Sequence, residues 1–149
     1  MGELTRKELV LALIPAGVKP RLAGLDLSAM DLHRLDFEGA NMRGARLSAS
    51  NLQEAILRST NLTGADMQVA QLPFADLNQA NLNSANLTGA NMTAARLTGA
   101  SLVGATLNGA ILKDANLKGA TVTGLRYDEN TIWPDGKKGS QGNPADYTS

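Results

Sequence analysis

Apolar residues recur at every fifth position along most of the chain. The phase runs unbroken from Leu22 to Val122 and includes 21 positions, of which 16 are Leu. Two positions before each large residue stands a small one, and from Ala40 to Ala120 fifteen of these seventeen residues are Ala. The position between the small and the large residue favours Asn or Asp. The other two positions of each pentad are polar or small, and Gly is frequent at the second.

A period of five fits neither an α-helix, which repeats every 3.6 residues, nor a strand, which alternates every two. It suits a chain that turns a corner every five residues, so that four pentads close one square coil. The large residue then points to the axis, and stacked coils hydrogen-bond at the strand spacing of about 4.8 Å. We therefore predict an all-β stack of about five coils over residues 20–126, in which Asp76 and Arg96 are neighbours in adjacent coils.

The repeat resembles a known family. The segments ADLNQANLNSANL and ANLTGANMTAARLTGASLVGATLNGA match the A(D/N)LXX signature of the pentapeptide repeat proteins. The resemblance covers residues 20–126 and implies a right-handed quadrilateral β-helix with four pentapeptides per coil; the handedness comes from the resemblance alone. The later segment YDENTIWPDG is similar to the ending of many family members.

The segment before the repeat, residues 1–19, is predicted to be a short capping α-helix and its connector. Thr5 and Glu8 have the spacing of a capping box, and Leu4 and Leu9 stand at the positions of a hydrophobic staple. A cleaved signal peptide is the alternative interpretation of the apolar stretch that follows. Large residues replace the small inward residue in the first coil, where we expect them to fill space under the helix: Leu25, Met30 and Leu35.

The segment after the repeat, residues 127–149, is predicted to be a C-terminal cap and a flexible tail. From Gly136 onward the chain is rich in Gly, Ser, Pro and Lys, a composition typical of flexible segments. The apolar residues expected to cover the last coil are Leu125, Tyr127, Ile132 and Trp133. Such caps are expected because the ends of a repeat stack expose apolar surface and unpaired edges.

The composition argues against an enzyme. The chain has no Cys and one His, which excludes disulfides, cysteine nucleophiles and thiolate metal sites. His33 is expected to be a plain surface histidine, with no acidic residue or serine arranged as a catalytic partner. The carboxylates Asp31, Asp36 and Glu38 have a spacing dictated by the repeat, and Arg34 lies among them. We therefore expect no catalytic, cofactor or metal site.

One outward-facing group is apolar. Val69, Pro73 and Phe74 occupy nominally outward positions, and Ile56 is expected one coil below, close to Phe74. Exposed apolar patches often mark contacts with partners. These four residues are therefore the candidate protein-contact site, with packing against the tail or the helix as the alternative.

The expected function is a non-catalytic structural or interaction module, a rigid rod that docks an unidentified protein partner. The resemblance implies an alternative, a DNA mimic that modulates a type II topoisomerase such as gyrase. Mimicry needs a strongly acidic surface, yet residues 20–126 contain eight acidic and nine basic residues. We expect no nucleic-acid or membrane binding, and a homodimer through the C-terminal coil if the tail leaves it uncovered.

The expected location is the cytoplasm rather than the periplasm or thylakoid lumen, because no convincing targeting signal is found. The family resemblance points to a bacterial and specifically cyanobacterial source.

Overall fold

A computed structural model, which describes residues 5–13 and 20–149, has one pentad on each side of a four-sided coil. The residue before each large apolar residue pairs in parallel with the residue twenty positions on, from Arg21–Asn41 to Thr106–Arg126. Each pairing is a single-residue bridge, so within the described ranges there is no extended strand. Five complete coils, residues 20–119, are therefore stacked in register as the period of five predicts.

The large and small residues of each pentad form the core. Every large residue from Leu27 to Leu117 is at most 2% exposed, and the small inward residues from Ala40 to Ala120 are buried as well. The two departures from Ala, Ser50 and Thr60, are fully buried. Each donates its hydroxyl to a main-chain carbonyl, Thr60 to that of Phe37 at 2.8 Å. A buried hydroxyl is costly without such a partner, so these contacts make polar residues acceptable inside the coil.

The corners are turns with a left-handed residue. In all 21 pentads the residue two positions after the large residue has a positive φ, although only ten of these residues are Gly. A hydrogen bond closes each corner, as from the main-chain N–H of Ala40 to the carbonyl of Phe37 at 2.9 Å. Glycine adopts this conformation at no steric cost, whereas other residues are destabilised by it.

The preference for Asn and Asp is explained by the same turns. All twelve Asn or Asp residues that precede a large residue accept a hydrogen bond from the main-chain N–H two residues on. The Oδ1 of Asn81, for example, lies 3.0 Å from the N of Asn83. This N–H points away from the ladder between coils, so a short side-chain acceptor satisfies it locally.

At three positions where the acceptor is missing, the amide is satisfied otherwise or is absent. The N–H groups of Thr98 and Val103 donate to the side chains of Asn78 and Asn83 in the neighbouring coil, at 2.9 and 3.1 Å. Pro73 follows Gln71 and has no N–H to satisfy.

The helix α1 spans Arg6–Leu13 and begins with the predicted capping box. The N–H of Thr5 donates to the Glu8 carboxylate at 2.8 Å, and the N–H of Glu8 donates to the Thr5 hydroxyl at 3.2 Å. Leu9 is fully buried in the core. Leu4, the other residue of the predicted staple, lies outside the described residues.

Helix α1 is attached to the first coil through Arg6. Its guanidinium donates to the main-chain carbonyls of Asp31 and His33, which lie on the edge of the stack. In later coils the equivalent carbonyls accept hydrogen bonds from main-chain N–H groups of the preceding coil. The first coil has no preceding coil, so Arg6 supplies the missing donors. Leu25 is 38% exposed, so the prediction that it fills space under the helix is wrong. Two other enlarged residues are half-buried against the core: Met30 and Leu35.

The last coil contains one inserted residue. Ile111 pairs with Ile132, twenty-one positions on instead of twenty. Thr131 therefore occupies the small inward position, where it is buried and donates to the carbonyl of Leu107 at 2.7 Å. Trp133 occupies the large position and is fully buried.

The chain then turns back on itself and ends in two 3-10 helices. Ile132 and Lys138 form an antiparallel bridge, and the helices span Gly139–Gln141 and Pro144–Tyr147. In the part of the chain that the structure describes, no helix has the length and hydropathy needed to cross a membrane.

The prediction of a flexible tail is wrong, because aromatic contacts hold the tail on the last coil. The Trp133 ring stacks on Tyr147 with centroids 5.7 Å apart and meets Tyr127 edge-on at 5.1 Å. Its Nε1–H donates to the Gly139 carbonyl at 2.8 Å. The tail lies over the C-terminal end of the stack, where the carbonyl of Thr148 accepts from the N–H of Gly119 at 2.6 Å. This is the surface that an end-to-end homodimer would use.

Candidate functional site

The candidate contact residues lie around one side of the rod, here called face C. Face C comprises residues 31–34, 51–54, 71–74, 91–94 and 111–114. In the third coil Val69 and Phe74 are the corner residues that border it, and Pro73 lies between them. Phe74 is 60% exposed and Val69 is 53% exposed, more than any other large apolar residue in the described ranges.

Ile56 lies on the neighbouring face. It is half-buried and bridges Asp76, which follows Phe74 by two residues. The structure therefore brings Val69, Pro73 and Phe74 to one face of the third coil and places Ile56 around the corner. These four residues are called the apolar patch below.

The two corner residues of the patch have unfavourable backbone conformations. The φ of Val69 is 50° and that of Phe74 is 59°, in a region that β-branched and aromatic residues rarely adopt. The residues at the position of Val69 in the other four coils are all smaller than valine: Ala29, Ala49, Gly89 and Gly109. Since both side chains are mostly in solvent, packing within the chain offsets little of this cost. Such outliers often occur at functional sites.

An open cleft lies next to the patch on face C. Its volume is about 380 Å³, and it is lined by Asp31, His33, Arg34, Asn51, Gln53 and Glu54. The lining side chains form pairs within and between coils. The Nε of Arg34 lies 2.9 Å from the carboxylate of Glu54, and the Nδ1 of His33 lies 2.6 Å from that of Asp31.

These pairs keep the two carboxylates of the cleft charged. The hydrogen bond with the His33 side chain is the main cause that lowers the pKa of Asp31. The hydrogen bond from Arg34 is the main cause that lowers the pKa of Glu54. The hydrogen bond between His33 and Asp31 was not predicted; both side chains point outward from one pentad. The cleft thus offers charged and hydrogen-bonding groups beside apolar ones.

The other carboxylates of the first coil do not converge on this cleft. Asp36 accepts from the N–H of Glu38 at 2.9 Å, and Glu38 pairs with Arg58 at 3.3 Å. Within the described ranges no group of three or more His, Asp or Glu side chains is placed to hold a metal ion. The lining of the cleft also includes no hydroxyl or amine that His33 could activate as a nucleophile.

The neighbouring face is held by an ion-pair network around Asp76. This carboxylate is nearly buried and lies 3.4 Å from Arg96 and 3.7 Å from Arg58. The predicted pairing of Asp76 with Arg96 is confirmed. The pair of Arg34 with Glu54 was not predicted, although the separation of twenty residues between them is the signal that indicates it.

Comparisons with known proteins agree with this architecture. The family model described as pentapeptide repeats matches in eight copies, over residues 21–48, 40–73, 70–102 and 90–124. A pentapeptide repeat protein, Rfr23, from the cyanobacterium Cyanothece 51142 is 29% identical, with a TM-score of 0.69, over 84% of this chain and 99% of its own.

A second similar structure is a pentapeptide repeat protein from the Arabidopsis thaliana thylakoid lumen. It is 34% identical with a TM-score of 0.66, over 70% of this chain and 72% of its own. No curated protein sequence gives a match. The fold of these neighbours implies a right-handed β-helix, here built from single-residue bridges.

Proposed function

The chain belongs to the pentapeptide repeat family, and we propose that it is a non-catalytic rod that docks a protein partner through the apolar patch. The observation that carries this proposal is Phe74, which is 60% exposed at a corner where its φ is 59°. A glycine at this corner would form the same turn without the steric cost. A large apolar side chain there adds contact area to the outer surface and little to the stability of the coil.

The rod itself supports this function. The parallel bridges recur every twenty residues, so outward residues form straight columns on flat faces. A rigid surface loses little conformational freedom when a partner binds, which favours affinity. Val69, Pro73 and Phe74 are the apolar centre of such a surface, and the charged side chains of the cleft are next to them. This arrangement is typical of an interface with an apolar core and a polar rim.

The experiment is affinity capture from a lysate of the source organism with three baits: wild type, Phe74→Arg and Gln79→Arg. Gln79 is the matched control because it is exposed in the same coil and has a φ of 62°, but lies at the next corner. We expect a protein that wild type and Gln79→Arg retain and Phe74→Arg loses. Equal retention by all three baits would show that the patch does not bind the partner.

A further inference from the structure

We infer that the apolar patch binds a second copy of this chain, with face C packed against face C in an antiparallel, two-fold symmetric pair. This inference rests on the proposed function, since it names the partner of the patch. The distribution of charge along face C is the reason to assign a second copy of the chain to the patch.

The position of the patch makes face C symmetric along the rod. Val69, Pro73 and Phe74 lie in the third coil, which is the middle one of the five complete coils. A two-fold axis through this coil, parallel to its side, places the first coil opposite the fifth and the second opposite the fourth. Each column of side chains then faces itself, as in the self-complementary interfaces of symmetric dimers.

The two ends of face C carry complementary charges in this arrangement. Arg34 in the first coil and Asp114 in the fifth coil share one column, so each would face the other across the pair. Within its own chain Arg34 pairs with Glu54 and Asp114 pairs with Lys113, yet 71% of the Arg34 side chain and 65% of the Asp114 side chain remain exposed. Lys113 of the second copy would face His33, which lines the cleft together with the carboxylates of Asp31 and Glu54. Symmetry repeats each of these contacts at the other end.

The middle of the interface is apolar. Phe74 would face Phe74 and Val69 would face Val69, which removes from water the two most exposed apolar side chains of the described ranges. Aromatic pairs add to the stabilisation that burial of area provides. In the second and fourth coils Glu54 would face Ala94, so no like charges meet there.

The parallel alternative lacks these charge contacts. If the two rods ran in the same direction, the two-fold axis would lie along them, and the column of Phe74 would face the column of Val69. Arg34 would then face Ala29 and Asp114 would face Gly109, so neither charge would meet an opposite one.

The test is a charge exchange followed by sedimentation equilibrium. Wild type is expected to associate from 15.6 kDa to twice that mass as its concentration rises. Arg34→Asp alone and Asp114→Arg alone each place like charges at both ends of the homodimer. We expect each to raise the dissociation constant about tenfold or more. Circular dichroism melts check that both variants are folded.

Mixing the two variants gives the decisive result. In a heterodimer of Arg34→Asp with Asp114→Arg, both end contacts again join opposite charges, so an equimolar mixture is expected to recover the wild-type dissociation constant. A mixture that stays as weak as either variant alone would overturn the antiparallel pair. A wild-type chain that remains monomeric at all concentrations would overturn the inference altogether.

A second measurement uses the absence of cysteine from the chain. In the antiparallel pair Gln71 of each copy faces Gln71 of the other, whereas Asn91 faces Asn51 and lies two coils from its own equivalent. A short bismaleimide that spans about 10 Å, the spacing of packed sheets, is expected to join Gln71→Cys into covalent dimers and to leave Asn91→Cys monomeric. Equal crosslinking of the two variants would contradict the register.

Failure of this inference is distinguishable from failure of the proposed function. A monomeric wild-type chain that still captures a lysate protein in a Phe74-dependent manner overturns the self-association and leaves the proposed docking function. A chain that dimerises as described but captures nothing through Phe74 supports the pair and removes the case for a different protein partner.

Discussion

Replacing Asn81 by Ala tests the explanation of the Asn and Asp positions. The Oδ1 of Asn81 accepts from the N–H of Asn83 at 3.0 Å, in a half-buried site. Ala removes this one hydrogen bond and keeps every main-chain bond of the coil. A net contribution of about 1 kcal/mol is expected, because water reaches the half-buried amide only in part. In a chain of this size that corresponds to a fall of about 2–4 °C in melting temperature.

The control is Asn81→Asp, which keeps an acceptor at the same place and is expected to cost less than about 0.5 kcal/mol. Asn83→Ala is the more demanding variant. The Asn83 side chain accepts from the N–H of Val103 in the next coil at 3.1 Å and also from the Ser101 hydroxyl, so its loss is expected to cost at least as much as Asn81→Ala. Urea unfolding followed by circular dichroism measures all three. If both alanine variants unfold at the wild-type midpoint, the side-chain acceptors do not stabilise the turns.

Three further predictions concern the cap, its pH dependence and the alternative function. Trp133→Ala is expected to lower the free energy of unfolding by about 3–5 kcal/mol, since it removes a fully buried ring; a loss below 1 kcal/mol in urea unfolding would contradict its role as a cap. Burial and the hydrogen bond to Asp135 raise the pKa of Tyr147 to about 12. Its unfolded value is lower, near 10, so its stabilising contribution is complete below pH 10 and is lost as the pH rises towards 12. Phenolate absorbance of wild type and Tyr147→Phe checks this, and ionisation of Tyr147 near pH 10 would refute it. The chain is expected not to inhibit gyrase supercoiling at submicromolar concentration, because its repeat is nearly neutral; inhibition would restore the DNA-mimic alternative.

Much of the fold could be predicted because a single period fixes both which residues are buried and which residues stack. The unbroken spacing of five predicted the four-sided coil, and the twenty residues of four pentads predicted that Asp76 and Arg96 are neighbours. The capping box of Thr5 and Glu8 is a local pattern, so its prediction needed no knowledge of distant contacts.

The errors arose where contacts depend on residues outside the repeat. The tail was predicted to be flexible from its composition, but Trp133 gives Tyr147 an aromatic surface to stack on. The inserted residue after Arg126 shifts Thr131 and Trp133 into the inward positions, which the period alone does not indicate. The exposure of Phe74 confirms only that the candidate residue is accessible.

The most direct test of the central claim is to measure stability and association together on Phe74→Gly. Gly removes the exposed side chain and relieves a left-handed conformation that costs other residues about 1–2 kcal/mol; its greater freedom in the unfolded chain offsets about 0.5–1 kcal/mol of this gain. The account predicts a melting temperature at or above that of wild type, together with a loss of self-association and of the captured partner. A variant that is less stable than wild type yet associates equally well would show that Phe74 serves the fold and not binding.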